Sequence, residues 1–189
     1  WEYQIKELLK QADMYDGPHP DPSINPKAMM HRYREAIVQI DKDNWHRKVW
    51  DDTGNEQNGN KLRLYRCVKK DIFVETYITT IMPLHHRQNL AMLRFGCLPI
   101  EIELGRRNNT PLEMRLCKQC NMNCIEDERH LLLECPLYDD LRSPLEQFIP
   151  DINASIHDQY CSLLSNPDIQ ALLAKCIFSI MKRRSIHNL

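Results

Sequence analysis

Three cysteines and one histidine, close together in the sequence, constrain the fold more than any other feature. Cys117 and Cys120 are two residues apart, His130 follows after nine and Cys135 after four, which gives C-x2-C-x9-H-x4-C. A two-residue gap lets both thiolates of a tight turn face one tetrahedral centre, which a histidine and a third cysteine complete. The spacing predicts a zinc site, and a structural one, because protein ligands fill all four positions.

Two alternatives to this ligand set stay open. Cys124 lies inside the motif and is a fifth candidate ligand that could replace a member of the set. The cluster could also be unlinked thiols in a reducing cell, since the chain shows no secretory signal and a disulfide framework is not expected. Four further cysteines sit among apolar neighbours and are predicted to be small buried hydrophobic residues: Cys67, Cys97, Cys161 and Cys176.

The spacing of the last two ligands predicts a local break in the backbone. On an ideal α-helix His130 and Cys135 would be about 140° apart, so one face of a continuous helix cannot present both. We expect Asp127 or Glu128 to open a short helix that carries His130, and Cys135 to lie where Pro136 stops it or starts another. The three leucines after His130 should then pack away from the metal onto neighbouring helices.

Apolar periodicity elsewhere predicts a mainly α-helical fold, a helical bundle with a small CCHC zinc-binding module. An amphipathic helix is expected early, then an extended linker rich in proline, then a second helix. Gly105 is predicted to cap the end of a short helix. The expected helices are 1–14, 28–50, 84–95 and 136–149, the linker is 16–27, and residues 61–82 fit either a strand or a helix.

The last helix has the clearest signals. Asn166 can cap its free amides, Pro167 suits a first turn, and Asp168 favours the positive end of the helix dipole. An apolar stripe then runs from Ile169 to Met181. The basic triplet 182–184 is predicted to end the helix, either as a solvated terminus or as a patch that contacts phosphates.

Charge divides the chain into regions although the net charge is only −1. We distinguish an N-terminal helical pair with its linker (1–60), a basic segment (61–116), the zinc module with its following helix (117–151) and a C-terminal helical region (152–189). Their basic and acidic side chains number 8 and 11, 10 and 5, 3 and 8, and 4 and 2. Because a polyanion needs locally clustered cations, nucleic acid is expected on the basic segment rather than on the acidic zinc module. The predicted contacts are Lys61, Arg63, Arg66, Lys69, Lys70, Arg87, Arg94, Arg106 and Arg107.

Enzymatic signals are weak in this chain of 189 residues. The aspartate pair after Tyr138 resembles a polymerase metal site but follows Pro136 on a predicted helix, and His85-His86-Arg87 has no obvious triad partner. Five glycines leave no phosphate-binding loop. We therefore expect a non-enzymatic, soluble chain with no membrane span, which begins at Trp1 and is an excerpt of a longer protein.

Several sequence blocks together resemble one known family. They are 61–65, 75–77, 86–87, 93–94, 102–106, 115–120 and 126–138. Over residues 61–142 the chain resembles the C-terminal region of animal non-LTR (LINE-type) retrotransposon reverse transcriptases and uncharacterised proteins derived from them. Leu98 and Arg107 stand where that family often has His and Tyr.

The resemblance implies a CCHC region downstream of the polymerase palm that helps to grip template RNA or target DNA. Its partners would be nucleic acid and the upstream reverse transcriptase domain of the same polypeptide, and its location intracellular, with at least transient entry to the nucleus. Two functions stay open: nucleic-acid binding through the basic segment, or a zinc-stapled scaffold for protein or intramolecular polymerase contacts with those arginines in ion pairs. Neither RNA nor DNA is favoured.

Overall fold

A computed structural model of the chain describes residues 2–11, 25–50, 62, 64–149 and 153–187. The chain divides into two compact units, Trp1–Asp52 and Thr53–Leu189. The second unit therefore contains the basic segment, the zinc module and the C-terminal region together. Within the described residues no helix is long and apolar enough to cross a membrane.

The first unit contains two helices, α1 (Glu2–Gln11) and α2 (Pro26–Trp50), as the sequence predicts. Asn25 begins α2, since its side-chain oxygen accepts a hydrogen bond of 2.9 Å from the backbone N–H of Lys27. Proline suits the first helical position because the N–H that it lacks would have no partner there. Most of the predicted linker lies outside the described residues.

The second unit is built from seven helices among the described residues. They are α3 Tyr65–Val68, α4 Thr76–Thr79, α5 Leu84–Arg94, α6 Glu101–Arg107, α7 Asp139–Glu146, α8 Ile156–Ser165 and α9 Gln170–His187. The ambiguous segment 61–82 forms the single turns α3 and α4, and the described residues contain no strand, only one antiparallel bridge between Leu116 and Ile125. The chain is therefore mainly α-helical, as predicted.

The core of this unit lies between α5 and α9. Leu90 and Leu93 of α5 are fully buried, and so are Leu173, Ile177 and Ile180 of α9. These α9 positions belong to the stripe that the sequence predicted, which is confirmed. The predicted cap also forms, since the side chain of Asn166 accepts a hydrogen bond of 3.0 Å from the backbone N–H of Asp168.

The end of α9 differs from the prediction. The helix passes the basic triplet and continues to His187. Arg183 donates to Asp140 at 2.7 Å and Arg184 donates to Glu126 at 2.9 and 2.8 Å, so carboxylates of other elements hold the last turns. Arg183 and Arg184 are neither a freely solvated terminus nor an open phosphate patch.

Gly105 was predicted to cap a helix, and that prediction is wrong. It lies inside α6, where a Cβ atom would be 2.5 Å from Cγ of Arg115. The Arg115 side chain is buried across this helix and donates to the backbone oxygens of Thr110 at 2.9 Å and Ile102 at 3.2 Å. Glycine is therefore required here for close approach rather than for helix termination.

Candidate metal centre

A tight loop presents the first two cysteines. The backbone N–H of Cys117 donates to the oxygen of Cys124 at 2.8 Å, and that of Glu126 donates to Arg115 at 3.0 Å, so the chain folds back on itself. Asn123 takes a left-handed backbone conformation (φ 53°), which asparagine tolerates better than most residues. Inside the loop the N–H of Gln119 points at the sulfur of Cys117, 3.4 Å away, a contact that favours the thiolate.

Asp127, one of the two residues predicted to open the turn that carries His130, caps that turn. Its Oδ1 atom accepts hydrogen bonds from the backbone N–H groups of Arg129 at 3.0 Å and His130 at 2.8 Å. The helical turn starts at Glu128 and brings the buried imidazole next to the loop. Of the leucines that follow, Leu131 and Leu132 enter the core.

A π-helical turn brings His130 and Cys135 to the same side of the backbone. Residues His130–Glu134 form this turn, and the N–H of Cys135 donates to the oxygen of His130, five residues back, at 2.8 Å. The wider turn overcomes the angular separation that an α-helix would impose. The sequence predicted only that a regular helix could not continue, with a break at Cys135, and the turn was not anticipated.

The four predicted ligands meet at one point. The ligand atoms of Cys117, Cys120, His130 and Cys135 all lie within 4.8 Å of one another. Sγ of Cys120 is 3.5 Å from Nε2 of His130. A tetrahedral zinc with ordinary bonds to sulfur and nitrogen separates the two atoms by about 3.5–3.6 Å. The cluster therefore has the composition and the spacing needed to bind a metal ion.

Cys124 contacts the other nitrogen of the imidazole ring. Its Sγ lies 3.2 Å from Nδ1 of His130, and Oε2 of Glu134 lies 3.5 Å from the same atom. Cys124 is outside the group of four whose ligand atoms converge. A metal on Nε2 leaves Nδ1 to carry the proton, and partners at that atom orient the ring. Cys124 and Glu134 are positioned for that supporting role.

Burial makes the thiols hard to ionise without a cation. Burial raises the pKa of Cys135 to about 12, and the nearby sulfurs of Cys117 and Cys120 raise it as well. Burial likewise raises the pKa of Cys117 to about 11, with a smaller contribution from the charge of Glu126. A divalent cation would reverse this effect, because thiolates bind metals and their charges would be neutralised.

An ion pair that the sequence analysis missed lies behind the metal cluster. Glu126, 0% exposed, accepts two hydrogen bonds from Arg184 of α9 and one of 2.7 Å from the backbone N–H of Glu101 in α6. Its Oε1 is 3.9 Å from the sulfur of Cys117. The pair therefore joins the metal loop to two helices. The partners are 58 residues apart in sequence, which hides the pair from local patterns.

Most of the predicted nucleic-acid contacts are engaged within the protein. Arg94 is 4% exposed and bonds to Glu75, to the Leu164 oxygen and to Gln170, so we remove it from the predicted set. Four others also have partners in the protein: Arg106 and Arg107 pair with Glu103, Lys69 is buried beside Phe73 and Glu75, and Arg87 donates to Thr80. Arg66 is half-buried and Lys70 is exposed. Lys61 and Arg63 lie outside the described residues.

Two of the four aromatic side chains of the basic segment are buried. Tyr65 and Tyr77 are buried, and Phe95 stacks on Tyr65 with ring centroids 5.0 Å apart. Phe73 is 70% exposed and lies three residues from the exposed Lys70. Phe73, the most exposed of the four, is thus the one best placed for base stacking.

The two weak enzymatic signals have local structural roles. Asp139 pairs with Arg142 and Asp140 with Arg183 at the start of α7, so each carboxylate faces an arginine. His85 and His86 begin α5 and pack on Phe178, with centroids 4.5 and 5.0 Å from its ring. Burial and the neighbouring His85 lower the pKa of His86.

Comparison with known proteins does not place the chain in a family. Protein-family models, curated proteins and solved structures gave no match. Function therefore has to be argued from the metal cluster and the surface. What the geometry offers is a Cys3His set able to bind one ion, inside a helical unit whose charged groups are largely paired with each other.

Proposed function

We propose that the chain is a non-catalytic helical scaffold, held together by one structural zinc ion and used for protein contacts within a larger reverse transcriptase polypeptide. One observation supports it above all. Arginines that a nucleic-acid-binding surface would leave unpaired have carboxylate partners in the unit: Arg94 is buried against Glu75, and Arg106 and Arg107 share the carboxylate of Glu103. A cation already paired with a carboxylate releases fewer counterions on meeting a phosphate.

The proposed zinc has a structural role because the protein supplies every ligand. Cys117, Cys120, His130 and Cys135 would supply all four ligands of a tetrahedral ion, so no position would be left for a reacting water. The ion would join the loop at 115–126 to the π-helical turn and, through Glu126 and Arg184, to α9. Three thiolates and an imidazole are a donor set typical of zinc in structural sites.

The scaffold has an exposed apolar segment suited to a protein partner. Large side chains between α3 and the first turn of α5 face solvent, with Ile81 96% exposed. Apolar patches of this kind mark interaction surfaces in soluble domains. The segment comprises Ile72, Phe73, Val74, Ile78, Ile81 and Leu84. By the resemblance noted above, the partner is the upstream reverse transcriptase domain of the same polypeptide.

Nucleic-acid binding is the second candidate, favoured by the exposed pair Lys70 and Phe73. Lys70 and Phe73 are three residues apart in sequence, and an exposed cation and an exposed aromatic ring are the groups that bind single strands through phosphate contact and base stacking. The residues that could take part are Lys61, Arg63, Arg66, Lys70 and Arg107. A module that handles RNA or target DNA would enter the nucleus at least transiently, so nuclear residence belongs to this candidate.

A gel-shift experiment separates the two functions. The purified, zinc-loaded chain is mixed with single-stranded RNA and with duplex DNA at 50 and 200 mM salt. The scaffold predicts no shift at either salt. Five phosphate contacts would instead weaken duplex binding about 500-fold and single-strand binding about 130-fold between the two salts. Lys70→Glu should then weaken binding, whereas the control Lys182→Glu, at an exposed position of α9, should not.

The protein contact needs its own measurement. Ile81→Ser should reduce binding of the chain to the upstream part of its polypeptide, because this apolar side chain is nearly fully exposed and would be lost from the interface. Met114→Ser removes an apolar side chain that is 65% exposed and lies outside that segment, and serves as the control. Equal binding by both variants and the unmodified chain would reject the contact surface.

A further inference from the structure

A second group of metal-ligating side chains lies away from the centre described above. Cys67 belongs to α3, whereas His157 and Cys161 lie on α8. The two α8 residues are four apart, so they occupy the same face of that helix one turn from each other. The ligand atoms of all three residues lie within 4.8 Å of one another. None of these residues is part of the predicted zinc motif.

We propose that Cys67, His157 and Cys161 form a second binding site for a divalent metal of zinc type, with its fourth position open. Nε2 of His157 lies 3.2 Å from Sγ of Cys67 and 3.7 Å from Sγ of Cys161. The two distances bracket the separation of about 3.5–3.6 Å that tetrahedral zinc imposes on sulfur and nitrogen. The two sulfur atoms and the one ring nitrogen are therefore already close enough to bind a common metal ion.

Two thiolates and one imidazole select the class of metal. Thiolate and imidazole ligands suit zinc and related soft or borderline cations, whereas magnesium and calcium require oxygen ligands. Both cysteines are half-buried and His157 is not buried, so a bound ion would lie near the surface. The fourth ligand would be a water molecule or a side chain from a partner.

The neighbouring carboxylate is not the fourth ligand in this structure. Asp158 follows His157 directly, but its Oδ2 atom accepts a hydrogen bond of 2.6 Å from Ser155, and its backbone N–H donates to the same hydroxyl group. These bonds cap the start of α8 and hold the carboxylate on the outer side of the first turn. Among the residues that the structure describes, the ligand set therefore has three members.

A metal at this site would fix the basic segment to the C-terminal region. α3 is a single turn of four residues with no side-chain cap at its start, so its own hydrogen bonds do little to define its position. An ion joining Cys67 to α8 would hold the turn that also carries Arg66. This site is on different elements from the Cys3His centre, so the two ligand sets share no residue.

Metal counting tests this inference. The full chain is loaded with Zn²⁺ under a phosphine reductant, dialysed against metal-free buffer, and its metal content is measured by mass spectrometry. We expect two zinc ions per chain in the unmodified protein and one in His157→Gln and in Cys161→Ser. The control Cys97→Ser, a half-buried cysteine outside both groups, should keep two.

Cobalt spectra recorded together with circular dichroism distinguish loss of the metal site from unfolding of the variant. Co²⁺ replaces Zn²⁺ and reports bound thiolates through its charge-transfer absorption, which should fall in His157→Gln while the helical circular dichroism stays unchanged. One zinc in the unmodified chain with no loss in His157→Gln overturns the second site. A disulfide between Cys67 and Cys161 would lower the mass of the chain by two units when no reductant is present. That result, together with no second zinc ion when reductant is present, also overturns the second site. His130→Gln removes a ligand of the Cys3His centre only. Loss of zinc in that variant therefore tests the Cys3His centre and can be told apart from loss of zinc at the second site.

Discussion

Replacing Arg184 by methionine should destabilise the second unit far more than the same change at Arg183. The carboxylate of Glu126 is 0% exposed and accepts two hydrogen bonds from Arg184, at 2.9 and 2.8 Å. Removing one partner of a buried pair leaves an uncompensated charge and costs about 3–5 kcal/mol. Here the abandoned charge would also lie 3.9 Å from the sulfur of Cys117.

Arg183→Met is the matched control because it changes the adjacent residue of the same helix. Its partner Asp140 is 66% exposed, and water can solvate that carboxylate when the arginine is lost. Surface ion pairs contribute about 0–1 kcal/mol. The two variants thus share the side-chain change and the helical turn, and they differ in the burial of the arginine and of the carboxylate that it leaves.

Urea unfolding of the zinc-loaded protein, followed by circular dichroism, measures the difference. With a denaturant dependence of roughly 2 kcal/mol per molar urea, Arg184→Met should lower the midpoint by about 1.5–2.5 M. Arg183→Met should lower it by no more than about 0.5 M. Equal midpoints for the two variants would refute the claim that a buried charge pair links α9 to the metal loop.

Three further predictions address the metal loop and its surroundings. Gly105→Ala should lower the free energy of unfolding by about 1–3 kcal/mol, because its Cβ would overlap Arg115; unchanged thermal unfolding would contradict this close approach. Cys124→Ala should keep zinc but bind it about 10–100-fold more weakly in a chelator competition, since the thiol contacts the far nitrogen of His130; complete loss of zinc would make it a ligand. Acidification should release zinc together with helical structure, because protons compete with the metal for the thiolates of Cys117, Cys120 and Cys135; helicity that persists after zinc is released would show that the ion is not structural.

The local parts of the candidate site were predictable from sequence. The ligand spacing identified Cys117, Cys120, His130 and Cys135, whose atoms converge in the structure. Asp127 or Glu128 was expected to open the next turn, and Asp127 does so, since its short side chain accepts bonds from the first free amides. Signals of this kind work because the interacting groups are within a few residues of each other.

Contacts between distant residues account for what the sequence analysis missed. The charge of Arg94 and its sequence neighbours predict an exposed side chain. In the fold it instead bonds to Glu75, Leu164 and Gln170. Cys67 and Cys161 were expected to be buried hydrophobic residues and instead flank His157, 90 residues from Cys67. The available signal for this group was a histidine and a cysteine four residues apart, which lie on one face of a helix. It was missed because α8 was not among the predicted helices.

The π-helical turn shows a different limit. The angular argument correctly excluded a regular α-helix between His130 and Cys135, but several backbone solutions satisfy the same spacing. A break at the proline and a wider turn both bring the ligands together. Choosing between them depends on how Leu131 and Leu132 pack into the core, which tertiary structure decides.

The most direct test of a zinc-held scaffold is metal analysis of the His157→Gln variant before and after chelation, with circular dichroism on the same samples. This variant removes one ligand of the proposed second site, so the zinc that remains reports on the Cys3His centre alone. We predict one zinc per chain and loss of helical signal when it is removed, with recovery on addition of zinc. A variant that holds no zinc, or that keeps its full helical signal without it, would contradict the account.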